Sequence, residues 1–148
     1  MKKQILMLAM SVVVLVTMAA ATTAQAQTMK QLTADIPFDF HVGGERFAAG
    51  KYTVRCLNPS SDVKVLQLRK TDGQSSVMLH TNSMVGRINR NSKLVFNRYG
   101  NQYYFSQAWL VSEGLGMQAV KSRQEKATAK EMARLSYKPE MIALTMNR

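Results

Sequence analysis

Residues able to do chemistry are few in this chain. The imidazoles are His41 and His80, Cys56 is the one thiol, and nine carboxylates are spread over 148 residues. A structural or catalytic zinc site takes three or four ligands at short, recognisable spacings, and neither a Cys pair nor an HxxxH or HExxH spacing occurs. Asp39 and His41 stand two apart on one strand face and would need a distant third ligand, so no metal site is expected. Nucleophilic catalysis lacks a G-x-S-x-G elbow. Cys56 ends the apolar alternation Tyr52, Val54, Cys56 and reads as a small buried hydrophobe. Asp35 with Asp39, or Asp39 with Glu45, could pair carboxylates only across a first hairpin. Gly43-Gly44-Glu45 and Gly114-Leu115-Gly116 lack the strand-to-helix setting of a phosphate loop. No catalytic residue and no cofactor is therefore expected. An enzyme would require His41 or His80 to meet a carboxylate and a second polar group in a cleft.

Two patterns point instead to binding. Tyr99, Tyr103, Tyr104 and Trp109 could form an aromatic ligand-binding face, although a core and its rim is the simpler reading of the same residues. Arg123, Lys126, Lys130 and Arg134 recur at helical spacing and could bind anions, where the simpler reading is a solvated helix face. The formal charge of +11 favours anionic partners without specifying a fold. Envelope polysaccharides and lipid head groups fit on charge. Nucleic acid fits less well, because no RNP-type motif is present and the chain begins with an export signal.

That signal has three parts: Lys2 and Lys3, the uncharged apolar run Ile5 to Met18, and the small-x-small site Ala24-Gln25-Ala26. Residues 1–26 are thus expected to be a cleaved secretory signal peptide, leaving no membrane span and a periplasmic or extracellular protein. Loss of Lys2 and Lys3 lowers the charge from +11 to +9. Residues 27–148 are one domain by size, and a single cysteine cannot form an intramolecular disulfide.

The elements that must position these residues are mostly strands. Lys93 to Leu110 is the densest β-forming and aromatic stretch, and Gly100-Asn101 folds it into a central hairpin. Strict alternation puts Phe96 opposite Phe105 or Trp109. Earlier, Ile36 to Val42 alternates as one strand, with Pro37 marking an edge. Gly43-Gly44 turns it back, and a bend near Phe47 to Gly50 leads into Lys51 to Leu57. Asn58 to Asp62 is a loop. Val63 to Lys70 and Ser75 to Thr81 pair about Asp72-Gly73, with a bulge or two-sided burial at Val65-Leu66. Asn82 to Asn91 reads as a long loop around a short strand at Met84 to Ile88. Ser112 to Gly116 reads as a loop and Met117 to Val120 as a short strand or extended link.

One helix is expected over about 122–135. Ser122 and Glu125 form a capping box in which the carboxylate reaches back to the cap. Ala127, Ala129, Met132, Ala133 and Leu135 supply a thin docking stripe, and Pro139 ends the segment. A final strand over about 141–146 returns to the sheet. The expected fold is all-β, an antiparallel barrel or two-sheet sandwich of about seven to eight strands, with the barrel slightly favoured.

Three phrases carry a family resemblance: ADIPFDFHVGGERFAAGKYTV (Ala34 to Val54), KLVFNRYGNQYYFSQAW (Lys93 to Trp109) and KSRQEK (Lys121 to Lys126). Together they resemble a group of small secreted acidobacterial proteins of unknown function. Ala48-Ala49-Gly50 stands where that pattern has Pro-Ala-Gly, and Ala119-Val120-Lys121 where it has Leu-Pro-Lys. The resemblance implies an exported β-rich domain and carries no catalytic residue. The expected function is a non-catalytic binding or structural module of the cell envelope. One alternative is a barrel-type carrier of a small apolar or amphipathic ligand, in a cavity lined by Phe38, Phe40, Phe96, Phe105 and Trp109. The other is a binder of anionic envelope polymers through the basic helix face.

Overall fold

A computed structural model describes residues 31–86, 91–111 and 114–147, so the expected signal peptide lies outside the described residues. Among the described residues ten strands form one mixed sheet, with one helix near its end. In chain order these are β1 (Leu32–Ile36), β2 (Phe40–Val42), β3 (Glu45–Phe47), β4 (Gly50–Cys56), β5 (Lys64–Lys70), β6 (Ser76–Met84), β7 (Lys93–Tyr99), β8 (Gln102–Leu110), β9 (Leu115–Ala119), helix α1 (Arg123–Arg134) and β10 (Glu140–Thr145).

The ladder runs β1-β4-β5-β6-β9-β8. β8 carries β7 on its other edge, and β7 carries β10. A single parallel bridge, His41 to Tyr104, joins β2 to β8, and β3 pairs with β2. The two far edges touch once. Thr33 and Asn147 exchange backbone hydrogen bonds of 2.7 and 2.8 Å. One bridge is not a ladder, so the sheet curls without closing and the fold is an all-β, sandwich-like one rather than the favoured barrel.

Strand number exceeds expectation because the first strand is split. Pro37 lacks a donor, the chain bends at Phe38, and the Asp39 carboxylate accepts from the Ala49 amide at 2.9 Å and from Arg46 at 2.8 Å. Both partners hold the Asp39 carboxyl below its usual range, the amide more than the guanidinium. Gly43 and Gly44 take φ of 61° and 104° in the β2–β3 turn, a region closed to most L-residues.

Alternation works well on β4, where Tyr52, Val54 and Cys56 are buried. On β5 the ladders to both neighbours stay in register, so Val65-Leu66 is no bulge. Leu66 and Leu68 face the core while Gln67 is buried on the other side. Lys64 also points inward at the strand's start, and its ammonium escapes by donating to the carbonyls of Pro59, at 2.6 Å, and Ser61. β6 runs three residues further than expected, through Met84. Beyond it the short strand expected at Met84 to Ile88 falls partly on residues 87–90, outside the described residues.

A bulge does occur in the central hairpin. Val95 faces Gln107 but Phe96 faces Phe105, so Ser106 is an extra residue on β8. It flips the alternation. Leu94, Phe96, Ala108 and Leu110 face the core, and Phe105 joins them instead of lying on Trp109's side. Phe96 lies at the centre, with ring centroids 5.3 Å from Phe38, 5.4 Å from Phe40 and 5.8 Å from Phe105. These edge-on pairs add about 0.5–1.5 kcal/mol each to the burial itself. The other three rings each pack on Phe96, and Trp109 stands apart from them.

Helix α1 docks on the opposite face of the hairpin. Ser122 caps it as expected, accepting from the Glu125 amide at 3.1 Å. The Glu125 carboxylate does not reach back. It turns into the sheet and accepts from Asn97 Nδ2 at 2.8 Å and the Tyr99 hydroxyl at 3.3 Å. The helix is seated through Glu125, Thr128, Ala129 and Met132, whereas Ala127, Ala133 and Leu135 of the expected stripe are exposed. It ends before Pro139: Ser136 takes φ 56°, the Ser136 amide donates to Ala133 O, and the Tyr137 amide donates to Met132 O. That is a Schellman ending, with serine in the position glycine usually holds.

Candidate functional site

The four aromatic residues singled out in the sequence do not form one face. Tyr99 and Tyr104 are buried under α1, their rings edge-on at 5.8 Å. Tyr103 stacks on Phe38 at 3.8 Å and takes the Arg98 guanidinium over its ring at 5.7 Å. Trp109 is half-buried on the outer sheet face, with Nε1 donating to Gln107 Oε1 at 3.0 Å. By contrast Arg123, Lys126, Lys130 and Arg134 are all exposed along one side of α1. None of the four pairs with a carboxylate among the described residues. They make a convex cationic ridge.

The helix–sheet junction holds a mainly apolar cleft of about 140 Å³ whose polar lining includes His41, His80, Tyr104, Ser122 and Glu125. This meets the sequence-level condition of imidazoles and a carboxylate in one cleft, but the groups are not coupled. Glu125 is engaged by Asn97 and Tyr99, and no hydrogen bond joins either imidazole to it among the described residues. His41 stacks on Tyr104 at 4.9 Å, and its buried Nδ1 has no hydrogen-bond partner among the described residues. Burial, and secondarily the nearby Arg46 charge, lower the His41 pKa. No cluster of three His, Cys, Asp or Glu side chains suited to a metal occurs among the described residues.

A third feature lies on the outer face of β4 and β5. The register that buries Tyr52, Val54, Cys56, Leu66 and Leu68 sends Thr53, Arg55, Gln67 and Arg69 to the opposite face. Arg55 lies directly opposite Gln67, and Arg69 opposite Thr53. The two arginines are therefore diagonal neighbours on adjacent strands, with Cα atoms roughly 7–8 Å apart, close enough for both guanidiniums to reach one anion. Gln67 Oε1 accepts from Arg55 Nε at 2.6 Å. That bond fixes the guanidinium plane and leaves its terminal N–H groups for a ligand.

These residues, with Gln31, Lys70 and Thr71, line a cleft of about 240 Å³. Lys70 is partly neutralised by Asp72 at 3.1 Å, and Asp72 is itself held below its usual pKa, first by the Gln74 amide and then by Lys70. Arg55 and Arg69 have no carboxylate partner among the described residues. Two arginines with no carboxylate partner among the described residues, in one concave site, have the chemistry to hold an anion. The sequence contained the signal for it. Thr53 and Arg55 alternate with the apolar set of β4, and pairing across the Asn58 to Asp62 loop places Gln67 and Arg69 beside them.

No family model, curated protein or solved structure matches the chain.

Proposed function

We propose that this protein is a non-catalytic binding module of the cell envelope, exported by residues 1–26, that holds anionic envelope polymers on its outer surface. The observation that carries this reading is the Arg55/Arg69 cleft, where two guanidiniums without carboxylate partners face one concavity. The exposed ridge Arg123, Lys126, Lys130 and Arg134 supplies a second cationic contact, as a long polymer requires. The net charge of +9 that remains after loss of Lys2 and Lys3 draws such a polymer in at long range. Carboxylate or phosphate groups repeated along the polymer are the recognised chemistry. The resemblance to small secreted acidobacterial proteins fits an envelope setting.

Two measurements test the proposal. Protein recovered from the periplasm or medium of its host should begin at Gln27. In low salt it should bind polygalacturonate and leave uncharged dextran unbound. Equal retention on both polymers would overturn the reading.

A further inference from the structure

Two glycines that do not need a glycine backbone lie against the protein's only tryptophan. Neither Gly86 nor Gly116 has a positive φ. A Cβ at Gly86 would lie 2.4 Å from Trp109 Cη2, and one at Gly116 would lie 2.6 Å from Cζ3 and 3.0 Å from Met84 O. The missing side chains thus serve to let the indole lie against bare backbone. Gln107 satisfies the ring's one polar group at 3.0 Å. The indole is therefore fixed in place and half-exposed, and no inward core demands it there.

Beside the ring opens a pocket of about 230 Å³, whose other walls include Met84, Val85, Val111 and Leu115. Among the described residues no charged side chain lines it, in a chain with 20 Lys and Arg. An apolar cavity of about 150 Å³ is enough to hold benzene. The volume therefore suits one substituted ring and is short for a lipid chain. We propose that this pocket binds an uncharged monocyclic aromatic compound, seated against Trp109 in offset or edge-on geometry. Its walls come from the ends of β6, β8 and β9, and it shares no residue with the Arg55/Arg69 cleft. The two sites can therefore succeed or fail separately.

Iodobenzene is a suitable probe, because its iodine quenches a touching indole and Trp109 is the sole tryptophan. Titration of the full protein should give saturable quenching with a midpoint below about 1 mM, unchanged by 0.5 M salt. Leu115→Phe and Val111→Phe each fill the pocket from a different wall. Either should weaken binding at least about tenfold, as expected when an aromatic group takes the ligand's place. Saturating iodobenzene should raise the Tm of the native protein and leave that of a folded filled variant unmoved. Quenching that grows linearly without saturation would overturn the proposal, as would an unchanged midpoint in the folded filled variants.

Discussion

Substituting Glu125 and Asn97 singly and together tests how the helix is attached. The structure replaces a solvent-side capping contact with a carboxylate turned inward: Glu125 is 3% exposed and accepts from Asn97 Nδ2 at 2.8 Å and from Tyr99 at 3.3 Å. A hydrogen bond to a charged group contributes about 1.5–3 kcal/mol, and losing one partner strands the other. The short Asn97 bond belongs in the middle of that range, and the longer Tyr99 contact adds less. Glu125→Ala should therefore cost about 2–3 kcal/mol and Asn97→Ala about 1–2 kcal/mol. The two share one bond, so the double variant should lose about 1–2 kcal/mol less than the sum. Urea unfolding followed by Trp109 emission reads all four corners of the cycle. A coupling within about 0.5 kcal/mol of zero, the range of independent sites, would show that Glu125 only caps its own helix and would refute the docking argument.

Other consequences follow from single positions. Ser136→Gly should stabilise the protein by about 0.5–1 kcal/mol, because φ 56° at Ser136 suits glycine; a loss in urea midpoint would contradict the Schellman ending. Gly116→Ala should destabilise by about 1–3 kcal/mol and shift Trp109 emission to the red as the ring is pushed toward water. An unshifted spectrum would mean the contact is slack. His41 has a folded pKa lowered by burial and by Arg46, so the unfolded chain takes up its proton first as pH falls through about 6.5. The stability present above that pH is lost on the way down toward the folded value, and the urea midpoint should fall more between pH 7.5 and 5.5 in the native protein than in His41→Gln. Asp39 and Asp72, also lowered, act only below about pH 4 and stay out of that window.

Period-2 alternation and turn chemistry made most of the sheet legible. Gly43-Gly44, Asp72-Gly73 and Gly100-Asn101 mark three turns between paired strands, and the inward set on β4 matches burial. What alternation could not contain is the Ser106 bulge. One extra residue reverses every later side chain, which is why Phe105 and Trp109 part company, while the expected aromatic face disperses because Tyr103 packs against the core and the helix covers Tyr99 and Tyr104. Sheet closure was illegible for a related reason. It depends on whether residues after β10 meet β1 along a ladder or at one bridge, and sequence period says nothing of that. The helix misled because Ser122 and Glu125 satisfy the capping-box pattern whichever way the carboxylate turns. The Arg55/Arg69 cleft was recoverable from strand pairing, while the basic helix stripe drew attention because its charges are contiguous in one element.

The most direct test of anionic-polymer binding is the slope of log affinity for polygalacturonate against log salt, for the native protein and for Arg55→Gln/Arg69→Gln. Each cation engaged by a charged polymer releases counterions, so the slope counts contacts. Binding through the cleft predicts weaker binding in the double variant at every salt concentration and a slope shallower by about 1–2. An unchanged affinity and slope would contradict it and leave the cleft without a part in the function.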